Sequence, residues 1–183
     1  MLVLQKVSRE VESAAFDCGN AGIQEQIRDS YFASLLREGY AYEIVVDIPG
    51  ANPIIVGYCM LRLVTIKESQ IPEDDLDLAS GVYAMRPLQH AAMEITYLAI
   101  DKKYQAQHLG TETLKMIIAN IQRISEEIPI RYIVLDSLKA KIEFYEKRGF
   151  KTLGEPDIHS ETQYMYMDCL RDRTDLEEYI NQF

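Results

Sequence analysis

Glu94-Ile95-Thr96-Tyr97-Leu98-Ala99-Ile100-Asp101-Lys102-Lys103-Tyr104-Gln105-Ala106-Gln107-His108-Leu109-Gly110-Thr111 is the stretch that decides the fold. The apolar run from Ala92 to Ile100 predicts a strand. Beyond the charged loop, Leu114, Ile117, Ile118, Ile121 and Ile124 recur at helical spacing and make one apolar stripe. A strand therefore runs into a tight loop, and the loop opens an amphipathic helix. The first N–H groups of a helix have no intrahelical acceptor and sit in the positive end of its dipole, so this loop is a candidate anion site. Gly110 allows the backbone to approach a phosphate closely, and Lys102 and Lys103 add positive charge beside it. GxGxxG and GK[ST] are both missing, which sets aside a dinucleotide fingerprint and a P-loop.

Working outward, Phe16-Asp17-Cys18-Gly19-Asn20 carries turn residues and opens a helix whose face is Ile23, Ile27, Tyr31 and Leu35, with Gly39 ending it. Tyr42 to Ile48 and Ile54 to Thr65 read as strands around a Pro49-Gly50 turn, hence a hairpin. Lys67 to His90 is a long stretch with Glu73, Asp74, Asp75 and Asp77, either the cover of a binding site or a solvated excursion. After Pro129, Ile130 to Leu135 reads as a buried strand and Ser137 to Lys147 as a helix stopped by Gly149. Thr162 to Leu170 alternates as a late strand, with Tyr164, Tyr166 and Asp168 on one face and Met165 and Met167 on the other. Thr174 to Ile180 reads as a short acidic helix. This order gives an α/β fold, one mixed central sheet flanked by helices, in a single domain over residues 1–183.

Composition narrows the class. With 183 residues, 48% hydrophobic and 26% charged, the chain can bury a sizeable core and is not of disordered type. No apolar run reaches the roughly 20 residues of a membrane span. The N-terminus lacks the order of a secretory signal, so a cytoplasmic location is the expectation. Cys18, Cys59 and Cys169 fit no zinc spacing and read as reduced thiols, and His90, His108 and His159 form no HExxH pattern, so no metal site is expected. The net charge of −10 disfavours a protein whose main task is gripping nucleic acid. The charge is uneven: Asp101 to Lys151 carries net +3 and the remainder −13, so the basic stretch suits a small phosphorylated ligand.

The central stretch resembles motif A of the GNAT superfamily, in which a strand precedes Q/R-x-x-G-x-G/A and a helix. Gln105 matches the first position and Gly110 the second glycine, while His108 stands where the family usually has its first glycine. A side chain there either crowds the pyrophosphate or donates a hydrogen bond to it. Ile142-Glu143-Phe144-Tyr145-Glu146-Lys147-Arg148-Gly149-Phe150 resembles GNAT motif B, FYxxxGF, following a buried strand about 35 residues after motif A. Phe16-Asp17-Cys18-Gly19 and Leu98-Ala99-Ile100-Asp101 resemble the branch related to TacT-type toxins, although Tyr97 stands where that branch usually has Arg. The superfamily resemblance covers about Tyr42 to Leu170.

The resemblance implies acetyl-CoA as co-substrate and direct transfer of its acetyl group to an amine. Backbone groups of Leu98, Ala99 and Ile100, on a strand bulged in the family, would contact the acyl group and pantetheine. Gln105, Ala106, Gln107, His108, Leu109, Gly110 and Thr111 would hold the pyrophosphate. Tyr145 matches the tyrosine that protonates the leaving thiolate; the competing reading is a core residue sharing a helix face with Leu138 and Ile142. Glu94 falls where some histone-acetylating relatives carry the base, in Glu-Ile-x-x-x-Ala-Ile; the competing reading is a solvated strand-end glutamate. The charge map favours a small or peptidic primary amine as acceptor. The alternatives are a TacT-like toxin acetylating aminoacyl-tRNA, with Lys139, Lys141, Lys147, Arg148 and Lys151 as its basic patch and a protein antitoxin as partner, or an acyl-CoA-binding module without catalysis. Homodimers are common in the family.

Overall fold

The computed structural model describes residues 1–11, 16–72, 89–154 and 159–169. Among them run β1 (Leu2–Lys6), α1 (Ala21–Leu35), β2 (Tyr40–Val46), β3 (Ile54–Lys67), β4 (Gln89–Ile100), α2 (Leu109–Ser125), β5 (Tyr132–Leu138), α3 (Ile142–Glu146), β6 (Lys151–Thr152) and β7 (Thr162–Asp168). The strands hydrogen-bond as one mixed seven-stranded sheet in the order β1-β2-β3-β4-β5-β7-β6. The α/β architecture read from the sequence holds. The acidic residues Glu73, Asp74, Asp75 and Asp77 and the helix expected at Thr174 to Ile180 lie outside the described residues. No described helix is long and apolar enough to cross a membrane.

Contacts divide the chain into two compact units, Met1–Arg62 with Glu94–Ile121, and Leu63–Met93 with Gln122–Phe183. In the first, β1 pairs antiparallel with β2 from Leu2↔Val46 to Lys6↔Tyr42, and β2 pairs antiparallel with β3 in the expected hairpin. A shift between Ile44 and Val45 leaves Val56 as an extra residue on β3, a bulge. The Asn20 side chain caps α1 by accepting the Ile23 N–H at 3.0 Å, a contact worth about 1 kcal/mol. Ile27 is buried on this helix, with Ile23 and Tyr31 packed beside it. Leu35, expected on the same stripe, is 59% exposed instead. It is the last residue of the helix, and the buried face ends a turn earlier, where Ser30 is buried and Ser34 Oγ accepts the Ala41 N–H. These elements close over Val7, Val11, Phe16, Ala41, Tyr58, Met60, Tyr97 and Ala99. The stripe on α2 is as the sequence implies, with Leu114, Ile117 and Ile121 inaccessible to solvent.

In the second unit β5 pairs antiparallel with β7 from Tyr132↔Asp168 to Leu138↔Thr162. Ile66, Ile71, Ala92, Tyr132, Val134, Leu153 and Tyr166 form its core cluster. The helix expected from Ser137 to Lys147 is shorter. Ser137 is buried and paired with Gln163, so β5 continues to Leu138 before a 3-10 turn at Lys139–Lys141 and the brief α3. Gly149 ends α3 at φ +90°.

One contact fixes the path of the strand that leads to the loop. A Cβ built on Gly57 would overlap the carbonyl oxygen of Ala99 and reach within 3.0 Å of Ile44 and Ile100 side chains. Because the obstacle is backbone, Gly57→Ala should cost about 1–3 kcal/mol, read as a lowered denaturant midpoint. A wild-type midpoint would mean that β3 and β4 tolerate separation.

Candidate active site

Asp101 ends β4 and begins the loop. Its N–H donates to the Val56 carbonyl at 2.9 Å, so the bulge residue of β3 receives the loop's first amide. Its carboxylate is buried and accepts the Lys103 N–H at 2.9 Å, which caps the 3-10 turn Lys102–Tyr104. Beyond that turn Ala106 and His108 take φ of +60° and +61°. Each left-handed non-glycine residue costs on the order of 1 kcal/mol, although histidine adopts this region more often than most. Alternating backbone of this kind turns successive N–H groups to one side and makes an anion-binding concavity. The His108 carbonyl accepts the N–H groups of Thr111 and Glu112 and starts α2. Among the described residues, the N–H groups of His108, Leu109 and Gly110 have no acceptor, and residues 105–108 are exposed. The loop thus fits an anionic phosphate through its backbone. The φ of His108 also explains why a glycine suits that position.

The charges around the loop divide unequally. The Lys103 side chain is exposed and in no ion pair among the described residues, whereas Lys102 Nζ pairs with Asp17 Oδ2 at 2.8 Å. The hydrogen bond from Lys102, reinforced by the Gly19 N–H, holds the Asp17 carboxyl below its ordinary value. The same bond raises Lys102. Lys102 is therefore partly neutralised beside the loop. The Gln105 side chain donates to the carbonyls of Ile100 at 2.8 Å and Cys18 at 3.1 Å. On β4, burial alternates so that Leu98 and Ile100 are half-buried and Ala99 is buried. The Ile100 carbonyl is taken by Gln105.

Glu94 lies in the same unit, on β4, and is not a solvated strand-end residue. It is buried, and its Oε2 accepts from Arg62 Nη2 at 2.5 Å and Arg62 Nε at 2.8 Å, with Thr96 Oγ1 at 3.3 Å. Arg62, on β3, went unnoticed in the sequence because a single arginine in an apolar strand carries no pattern. Tyr145 belongs to the second unit. It sits half-buried on α3 with its ring edge-on to Phe144 at 5.0 Å and Phe150 at 5.7 Å. Burial pushes its phenol up to about 12, with Arg148 opposing the shift. The phenol keeps its proton throughout the neutral range and has no hydrogen-bond partner among the described residues.

Covalent routes through Cys59 or Cys169 are disfavoured by the thiols themselves. Burial raises Cys59 to about 12 and Cys169 to about 11, so neither is a thiolate at neutral pH. Among the described residues no group of His, Cys, Asp or Glu is arranged to hold a metal.

A family model described as "Acetyltransferase (GNAT) domain" matches residues 54–152, more than half the chain. The chain belongs to the GNAT acetyltransferase family. Acetyl-CoA is accordingly its co-substrate. The matched span contains the GNAT loop, Glu94 and Tyr145 and leaves out residues 16–19. No curated protein sequence matches the chain. Among solved structures it is similar to a bacterial toxin at 18% identity and a TM-score of 0.73, covering 100% of this chain and 97% of that one. It is similar to AtaT complexed with acetyl-methionyl-tRNAfMet at 16% identity and a TM-score of 0.74, covering 99% of each. It is also similar to a mutant AtaT toxin bound to the C-terminus of the antitoxin AtaR and acetyl-CoA, at 15% identity and a TM-score of 0.66, again covering 99% of each. At these identities the likeness shows the fold.

The Arg62–Glu94 pair is asymmetric, since the Arg62 side chain is 47% exposed and that of Glu94 only 10%. Arg62→Ala should destabilise more than Glu94→Gln, because it strips a guanidinium from a buried carboxylate whereas the reverse leaves a cation that water can solvate. The loss should stay below the roughly 3–5 kcal/mol of a fully buried pair. Denaturant melts of both variants check the order, and equal losses would refute it.

Proposed function

We propose that this GNAT protein acts as one catalytic domain over residues 1–183 and acetylates the α-amine of an aminoacyl-tRNA in the cytoplasm. The observation that supports this reading is the likeness over the whole length to a bacterial toxin and to AtaT complexed with acetyl-methionyl-tRNAfMet. It extends to the N-terminal Phe16–Gly19 segment, which lies against the GNAT loop and outside the family model's span. The AtaT complex holds an acetylated aminoacyl-tRNA, and another neighbour is bound to an antitoxin's C-terminus and acetyl-CoA. A protein antitoxin is therefore part of this reading. Exposed Lys139, Lys141, Lys147 and Lys151 give the second unit a basic surface for phosphates.

Acetyl-CoA supplies an activated thioester. The neutral amine attacks its carbonyl carbon, the carbonyl oxygen takes the electron pair, and collapse expels the CoA thiolate. Backbone groups of Leu98, Ala99 and Ile100 orient the acyl chain, and residues 106–111 of the loop hold the pyrophosphate, with Gln105 behind them bonded to the Ile100 and Cys18 carbonyls. Tyr145 gives its phenolic proton to the departing sulfur. The proton leaving the amine passes to Glu94.

A second reading, a small or peptidic cationic amine, is favoured by the net charge of −10. Incubation with labelled acetyl-CoA and either charged tRNA or a panel of small amines separates the two. Acetylated aminoacyl-tRNA is expected. Its capture through phosphates should weaken steeply as salt rises, whereas a small amine would show only mild screening. Turnover of small amines with charged tRNA left untouched would sink the tRNA reading.

Tyr145→Phe keeps the ring and removes only the proton donor. Turnover should fall by about 10²-fold with acetyl-CoA affinity nearly unchanged. The Tyr145 phenol ionises only near 12, so it should add no alkaline fall to the wild-type rate between about pH 6 and 10. A fall in that window that vanishes in Tyr145→Phe would contradict the raised phenol.

A further inference from the structure

Phe16-Asp17-Cys18-Gly19 and Leu98-Ala99-Ile100-Asp101 are far apart in sequence, Asp17 and Asp101 being 84 positions apart. In the first unit they are two halves of one contact. The Asp17 N–H donates to Asp101 Oδ2 at 3.3 Å, while Asp101 Oδ1 holds the Lys103 N–H. The Lys102 N–H donates to the Asp17 carbonyl at 2.8 Å, and the Lys102 ammonium to the Asp17 carboxylate at 2.8 Å. Gln105 spans the gap, its side-chain amide donating both to the Cys18 carbonyl and to the Ile100 carbonyl.

Each residue of the N-terminal segment has a separate task there. Phe16 is buried and meets Tyr58 edge-on at 4.9 Å, and its carbonyl accepts the Gln24 side chain of α1 at 2.9 Å. Asp17 folds back on the Gly19 N–H at 2.8 Å. Gly19 takes φ +86°, the left-handed region that favours glycine, and the Lys102 stem lies against its bare face. The segment is thus anchored in the core at one end and bonded at the other to Asp101, Lys102 and Gln105, the residues that lead into the left-handed positions 106 and 108.

We propose that residues 16–19 are a clasp on the phosphate loop and that Asp101 and Gln105 are positioning residues that set acetyl-CoA affinity through it, without touching the phosphates. This rests on the acetyl-CoA reading above. A loop whose residues 106 and 108 both adopt a strained backbone needs such outside support to hold its N–H groups converged before ligand arrives. The pairing also gives a physical reason for the two short motifs to occur together in one chain. Gln105 contributes a donor and not a charge, so an arginine at that position would do the same work.

The test uses the full chain, with Asp17→Asn, Gln105→Glu and Gln105→Arg beside wild type. Hydrogen exchange is followed over residues 16–19 and 101–105 in ligand-free protein, and acetyl-CoA is titrated by calorimetry and in steady-state kinetics. Asp17→Asn removes an exposed ion pair, and Gln105→Glu points a carboxylate at two carbonyls. Both should speed exchange in both segments and raise the acetyl-CoA Kd and KM by about three- to tenfold, with kcat within about twofold. Gln105→Arg should restore exchange and affinity to near wild type. Two results would overturn the clasp: weaker acetyl-CoA binding by Gln105→Glu with exchange at 16–19 unchanged, which marks a direct phosphate contact, or faster exchange with affinity unchanged, which marks packing alone. A wild-type protein that fails to bind acetyl-CoA overturns the donor reading as well, and is told apart because no substitution is involved.

Discussion

The buried carboxylate of Asp101 is the constraint on which the strand-to-loop junction of the first unit depends. Its two oxygens accept N–H groups from Asp17 and Lys103, and its own N–H reaches the bulge carbonyl of Val56. Strand, loop and N-terminal segment are tied at one residue. A buried anion is tolerated only where donors surround it. Here they are backbone amides, whose positions are fixed by the elements they belong to. The carboxylate therefore orders its surroundings instead of merely being sheltered by them.

From that point the chemistry of the loop follows in steps. The 3-10 turn capped by Asp101 brings the chain to Ala106 and His108, which turn left-handed, and α2 begins with amides of His108, Leu109 and Gly110 that have no acceptor among the described residues. Strain at two non-glycine residues is offset by hydrogen bonds that lie outside the strained stretch. Gly57 contributes from the other side, since only a residue without a side chain lets β3 approach the Ala99 carbonyl. Charge at the loop is smaller than its basic residues suggest, because Lys102 is engaged by Asp17.

Glu94 and Tyr145 illustrate how differently two ionisable groups can be handled. Glu94 is buried with a guanidinium against it, so its charge is met inside the protein. Tyr145 lies among aromatic rings, and the low polarity there holds the proton on the phenol.

The sequence by itself determined what is local and periodic. The alternation of 162–168, the stripe of Leu114, Ile117 and Ile121, the hairpin around Gly50, and the strand-loop-helix order at Glu94 to Thr111 all come from short-range pattern, and the GNAT family follows from two such segments in order. β1 escaped notice because five residues at a sheet edge give too short an alternation, and the helix expected from Ser137 lost its first residues to β5 because pairing with β7 outweighed local helical spacing. Tertiary structure alone decided the rest. That Arg62 meets Glu94, that Gln105 reaches the Cys18 carbonyl, and that Asp17 bonds to Asp101 are contacts between residues 32, 87 and 84 positions apart. No periodicity encodes such a meeting. It exists only once the sheet has brought distant backbone together, and only then is a donor's partner defined.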